Sequence, residues 1–148
     1  FGVTGGLTEA MLRRFADKHD KATMDTVAES GARGDDGIKE FSVTYKGIPL
    51  NVCVASGLAN ARTVMENIKS GKKHYHIVEI MACRRGCIMG GGQPPRAGNR
   101  TKMARSEGLY QADNITSIRK ADENPLIMSL YDGLLKGKVH ELLHVDGY

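Results

Sequence analysis

Between residues 83 and 95 the chain reads Cys83-Arg-Arg-Gly-Cys87-Ile-Met-Gly-Gly-Gly-Gln-Pro-Pro95, and neither a helix nor a strand can run through it. Gly90, Gly91 and Gly92 each lose more backbone freedom in a regular element than any other residue, and Pro94 and Pro95 have no N–H to donate. The stretch is a bend, and it divides the chain into the part that feeds it and the part that leaves it. It also holds Cys83 and Cys87, two of only three cysteines in 148 residues. Thiolates bind soft metals and iron–sulfur clusters, and glycines let backbone approach a bulky inorganic group. A turn that merely carries two free thiols is the plainer reading. The three-residue gap between the cysteines is not the two-residue gap of a zinc knuckle or a thioredoxin site. With no second pair in the chain, a four-cysteine site needs two ligands from elsewhere. The glycines lack the Lys-Ser or Lys-Thr ending of a phosphate-binding loop.

Ahead of the bend the pattern is α/β. Leu7, Met11, Leu12 and Phe15 repeat at helical spacing, with Thr4 or Thr8 as cap and Glu9 suited to the helix N-terminus. Gly31, Gly34 and Gly37, with Asp35 and Asp36, mark a surface loop. Ile38 to Tyr45 reads as a strand with Phe41, Val43 and Tyr45 on one face, Lys46-Gly47 as a turn, and Pro49 to Ala55 as the returning strand. Cys53, between Val52 and Val54, reads as a small core thiol. Ser56 is placed to cap a helix whose buried stripe is Leu58, Ala61, Val64, Met65 and Ile68, and Gly71 ends it. Tyr75 to Met81 is a further strand with an apolar centre at Ile77 and Val78. Strand, helix, strand is the βαβ unit, which puts ligands beyond the carboxyl end of its second strand. Met81, Cys83 and Cys87 lie there.

After the bend the composition changes. Arg96 to Arg105 reads as basic and flexible. Leu109, Tyr110, Asp113, Ile115 and Ile118 suggest one helix. Asn124-Pro125 starts another, with Leu126, Ile127, Leu130, Tyr131, Leu134 and Leu135 as its apolar face, and a short helix covers about Val139 to His144. The expected architecture is a βαβ-type α/β unit over residues 1–95 with an all-helical tail, residues 96–148, wrapping it. A net charge of +4, with the basic residues scattered through helical segments, does not mark a nucleic-acid surface. No run approaches the roughly 18 apolar residues of a membrane span, and no signal peptide is visible. An odd cysteine count without such a signal favours a reducing compartment, the cytoplasm. A start at Phe1 rather than Met reads as a piece cut from something longer. His140-Glu-Leu-Leu-His144 matches the HExxH zinc-peptidase pattern, but a third ligand would have to lie within the four residues that remain, so a terminal amphipathic helix is the better account.

The segment from Glu79 through Pro94 resembles the last cysteine motif of the iron-only, or [FeFe], hydrogenase catalytic domain. Phe1-Gly-Val-Thr-Gly-Gly and Val54-Ala-Ser-Gly-Leu-Ala-Asn-Ala-Arg62 resemble flanking motifs of that family, in the right order. Leu109-Tyr110-x-x-Asp113, Ile118-Arg-Lys120, Glu123-Asn-Pro125, Leu130-Tyr131 and the His140–His144 segment resemble its small-subunit region. The resemblance implies a [4Fe–4S] cluster on four cysteines, one of them bridging to a two-iron subcluster that bears CO, cyanide and a dithiolate. Cys83 would ligate the cubane, and Cys87 would ligate it and bridge to the two-iron unit. Met81 would form an apolar wall, and Gly90 and Gly91 would make room. The implied activity is reversible H2 oxidation and proton reduction, with electrons from ferredoxin or other iron–sulfur domains. The remaining two ligands and a proton-relay cysteine belong to motifs expected upstream of Phe1, so residues 1–148 alone are expected to hold no stable cluster and turn over no hydrogen. The family usually has Pro-Gly where this chain has Arg84-Arg85, and two arginines beside an anionic cluster should raise its potential. A hydrogenase-like iron–sulfur assembly protein or a sensory relative, neither turning over hydrogen, is the alternative.

Overall fold

The computed structural model describes residues 2–15, 37–94 and 98–144. Helix α1 (Gly6–Phe15) precedes strands β1 (Ile38–Tyr45) and β2 (Ile48–Ser56), helix α2 (Leu58–Lys69) and strand β3 (Ile77–Met81). A 3-10 turn (Cys87–Met89) follows in the bend, then α3 (Asn99–Ile115), a second 3-10 turn (Ala121–Glu123), α4 (Pro125–Asp132) and α5 (Val139–Leu143). Of the expected surface loop, Gly31, Gly34, Asp35 and Asp36 lie outside the described residues.

The hairpin forms as its sequence requires. Lys46 and Gly47 both take positive φ, 49° and 80°, the backbone twist that a two-residue connection between antiparallel strands demands. β1 and β2 pair from Ile38 opposite Ala55 to Tyr45 opposite Ile48. β3 then pairs parallel to β2, from Val52 with Ile77 to Ser56 with Met81, so the strand order is β1-β2-β3 with β2 in the centre. Central position decides burial: Val52 through Ser56 are all buried. Cys53, Ala55 and Val64 of α2 form the core cluster, with Ile38 and Tyr75 packed on it. The α/β reading with helices after it therefore stands, and Cys53 is the core thiol that its neighbours implied. Burial, then the nearby Glu40 carboxylate, pushes that thiol above its usual range and keeps it protonated.

Several local expectations give way to longer-range contacts. Neither Thr4 nor Thr8 caps α1; a carboxylate from β3 takes that place. Ser56 does not cap α2 either. Gly57 stands there at φ 89° with no side-chain cap, and the Ser56 hydroxyl is engaged by the Arg85 N–H at 2.8 Å. The C-terminus of α2 is as expected: Gly71 is left-handed, its N–H reaches Ile68 O, and Lys72 N–H reaches Asn67 O, the paired Schellman bonds that satisfy terminal carbonyls. Of the anticipated α2 stripe only Ala61 and Val64 are buried, while Leu58 is 67% exposed and Met65 and Ile68 are also open. A three-stranded sheet is too narrow to cover more than one side of the helix. Val78 and Ile80 of β3 are open for the same reason. Strand pairing starts at Ile77 rather than Tyr75, whose side chain turns to the core.

The basic run after the bend is helical from Asn99 onward, not loose, whereas Arg96 lies outside the described residues. Ile118 falls beyond the end of α3. Asn124 accepts from Leu126 N–H at 3.0 Å with Pro125 in the first turn, so α4 begins where expected. Its intended apolar face, at Leu126, Leu130, Tyr131 and Leu134, is exposed. The tail instead rests on α1 through charge. Asp113 accepts from both terminal nitrogens of Arg13 at 2.8 and 2.6 Å, a bidentate geometry, and Arg13 also pairs with Glu9. Burial works against the Arg13 charge, but the bonds and charges of Asp113 and Glu9 outweigh it and raise its pKa. Arg119 joins Asp113 at 3.2 Å, and Arg14 pairs with Asp122 at 3.0 Å.

Candidate metal centre

β2 and β3 end side by side at Ser56 and Met81, and everything that shapes the bend is anchored on those two ends. Gly57 N–H donates to Met81 O at 2.8 Å, and Gly86 N–H closes a turn onto Cys83 O at 3.0 Å. Within that turn Arg85 and Gly86 both have positive φ, 70° and 81°. Gly86 has no room for a side chain: a Cβ there would lie 2.7 Å from Gly2 O and 2.9 Å from Thr4 N. The contact exists because the N-terminal segment runs against the bend, with Ile88 N–H donating to Gly2 O at 3.1 Å. Ile88 is buried, which holds the Cys87–Met89 turn down like a peg. From the other side Arg105 of α3 donates to Ile88 O at 2.7 Å and to Pro94 O at 3.4 Å.

This arrangement leaves Cys83 and Cys87 free and exposed at the carboxyl ends of parallel strands. Met81 is half-buried at the foot of the bend. A Cβ on Gly90 would come within 3.1 Å of Cys83 Sγ, so glycine keeps the space beside that sulfur open. Around Gly91 a Cβ would meet nothing within 4 Å. Two soft donors with clear space beside them suit an iron–sulfur group, and they amount to half of a four-thiolate set. Among the described residues no three His, Cys, Asp or Glu side chains gather into a metal-binding group. His140 and His144 lie on α5 and its cap with rings 5.2 Å apart, apart from the bend in sequence and element. A cavity of about 430 Å³ between α1 and the tail is lined by Arg13, Asp113, Arg119 and apolar neighbours and includes neither thiol.

One residue escaped the reading of the sequence. Glu79, on β3 and only 4% exposed, accepts from Gly5 N–H and Thr8 N–H, both at 2.7 Å, and from Thr8 Oγ1 at 2.6 Å. It satisfies backbone donors of the first turn of α1 and places negative charge where the helix dipole favours it. The signal was a carboxylate inside the apolar run Ile77-Val78-Glu79-Ile80-Met81, since a buried acid demands partners. Through it the N-terminal segment, β3 and the bend become one unit.

Comparison with known proteins gives a consistent picture. The family described as iron only hydrogenase large subunit, C-terminal domain, matches residues 1–91, and the iron hydrogenase small subunit family matches residues 99–147. The chain is 36% identical to iron hydrogenase 1 of Clostridium pasteurianum over 97% of its own length and 27% of that protein. It is 41% identical to the periplasmic [Fe] hydrogenase large subunit of Nitratidesulfovibrio vulgaris, over 82% of the chain and 30% of that subunit. It is 31% identical to a cytosolic Fe-S cluster assembly factor of Xenopus tropicalis, over 93% of the chain and 29% of the factor. Among solved structures, the [FeFe]-hydrogenase HydA1 from Chlamydomonas reinhardtii superposes with a TM-score of 0.65 at 32% identity, covering 98% of this chain and 44% of that one. The chain thus spans between about a fifth and a third of the length of the curated relatives it matches. No helix among the described residues is long and apolar enough to cross a membrane.

Proposed function

Since the chain belongs to the iron-only hydrogenase family, we propose that it forms the part of a hydrogen-converting catalyst that supplies two of the four thiolates of its iron–sulfur centre. Cys83 would hold the cubane as a terminal ligand, and Cys87 would be the ligand that also joins it to a two-iron subcluster. Gly90 keeps the flank of the Cys83 sulfur clear, Gly91 leaves open space on the same loop, and Met81 provides an apolar, polarizable wall. When bound, the iron–sulfur assembly supplies an electron reservoir and the reactive iron for reversible H2 oxidation and proton reduction. The protein's own share is the bend, pinned by Arg105, Ile88 and the Gly2 carbonyl, that carries both exposed thiols.

The observation that carries this reading is the pair of exposed thiols at the carboxyl ends of β2 and β3, with the space beside Cys83 Sγ kept open by a glycine. The other two thiolates come from the remainder of the catalytic domain, and electrons from ferredoxin or another iron–sulfur carrier. Residues 1–95 serve as the end of the catalytic domain and 96–148 as a small-subunit-like tail clamped to α1. We place the protein in the cytoplasm on its three unpaired thiols, against the periplasmic location of one relative. A second reading, favoured by the similarity to an assembly factor, is a hydrogenase-like protein that serves iron–sulfur assembly without hydrogen turnover. Anaerobic maturation together with the rest of the domain separates them. Infrared bands of CO and cyanide with H2 evolution support the catalyst; a [4Fe–4S] signal without those bands supports the assembly role. Residues 1–148 alone should retain no stable cluster, and hydrogen evolution from them after reconstitution would refute the shared-ligand scheme.

A further inference from the structure

Arg85 occupies a backbone position on the bend poorly suited to a long side chain. Its φ of +70° lies in the left-handed region, which glycine enters freely and a long side chain rarely adopts. The backbone N–H is already engaged with Ser56 Oγ, a bond glycine would make equally well, so what arginine adds is its side chain alone. Within that side chain Nε is buried and meets no hydrogen-bond partner among the described residues. A buried, unpartnered donor on a charged group is costly unless an acceptor completes it. Arg84 differs on both counts. It is exposed, and its side chain lies beside Gly57, with Arg84 Cβ 3.7 Å from where a Gly57 Cβ would sit. Arg85 stands two residues from Cys83 and two from Cys87, so its Cα is within about 7 Å of each ligand's Cα.

We propose that Arg85, and not Arg84, is the electrostatic partner of the anionic iron–sulfur group held by Cys83 and Cys87, its guanidinium stabilising the reduced state. The inference rests on the functional reading above. Reduction moves one electron from a reduced iron–sulfur carrier, which is oxidised by one, onto the group, which gains one negative charge and no proton. A fixed cation favours that state and raises the potential, biasing the centre toward accepting electrons from H2.

The test is an EPR-monitored redox titration of the matured enzyme, with iron content measured on the same samples. Arg85→Gly relieves the left-handed strain and should fold at least as well as the parent. It should lower the cluster midpoint so that the reduced-to-oxidised ratio at fixed potential falls tenfold or more, 59 mV for a one-electron couple. Arg85→Lys should keep more than half of the parent's advantage, and Arg84→Ala should change the ratio less than twofold. Full iron content with an unmoved midpoint in Arg85→Gly overturns the inference and leaves the functional reading intact. An equal shift from Arg84→Ala, or a lysine variant no different from glycine, overturns it as well. A parent enzyme with no thiolate-ligated cluster overturns both.

Discussion

Removing the Glu79 carboxylate should cost far more than its place on an edge strand suggests. It accepts three bonds of 2.6 to 2.7 Å from groups that are all buried: two backbone N–H donors, of Gly5 and Thr8, and the Thr8 hydroxyl. In Glu79→Ala all three donors lose their acceptor, and each unsatisfied buried group costs about 1–3 kcal/mol. Relaxation and entry of water offset part of this, so a net loss of about 4 kcal/mol is expected, within the range found when a buried charged partner is removed. Glu79→Gln keeps one carbonyl acceptor but turns an amide donor toward a donor, and should cost roughly half as much. Such a loss is a large fraction of the stability of an ordinary domain. The measurement is urea denaturation together with amide hydrogen exchange at Gly5 and Thr8, where protection should fall roughly a hundredfold or more in the alanine variant. A cost below about 1 kcal/mol, or unchanged protection at those two amides, would refute the claim that Glu79 caps α1 and ties it to β3.

Gly90→Ala puts a methyl 3.1 Å from Cys83 Sγ; the fold should survive, with under about 1 kcal/mol lost, while iron bound after reconstitution of the complete site drops severalfold. Gly91→Ala meets no neighbouring atom and should leave stability unchanged, so any loss of iron there reports the space the bound group itself needs. Arg13→Met removes the shared cation between Glu9 and Asp113, although Arg119 still reaches Asp113, and should destabilise by about 2 kcal/mol, read as a lower urea midpoint, with exchange rising in the last turn of α1. Glu40 accepts from Tyr75 and Lys73, and those bonds hold its pKa below the usual carboxylate range. Its contribution is present above pH ~4.3, the unfolded value, and fades as pH falls through the lower folded value. Because Glu40 is solvent-screened the effect stays under about 1 kcal/mol, and Glu40→Gln should flatten the acid limb of the stability curve by that amount.

What could be read from the residues alone was what local geometry controls. The Lys46-Gly47 turn, the alternation along β1, the period of α1, the Asn124 cap and the Gly71 stop are each decided by groups within a few residues of one another. The bend at residues 83–94 belongs with them, since glycine and proline act on their own backbone. Its thiols could be named as ligand candidates for the same reason. What failed was whatever depends on distant partners. Ser56 has the chemistry of a cap, but Arg85 N–H, 29 residues on, claims its hydroxyl. The first turn of α1 is satisfied from Glu79, more than 70 residues away. The apolar stripe of α2 promised a burial that a three-stranded sheet cannot provide. Arg105 looked like part of a loose basic run and instead pins the bend. Sequence thus determined the elements and the thiol-bearing bend, because those follow from short-range sterics and periodicity. Only the tertiary structure decided which donors meet which acceptors around that bend, because a side chain's partner is chosen by three-dimensional proximity, which residue spacing does not encode.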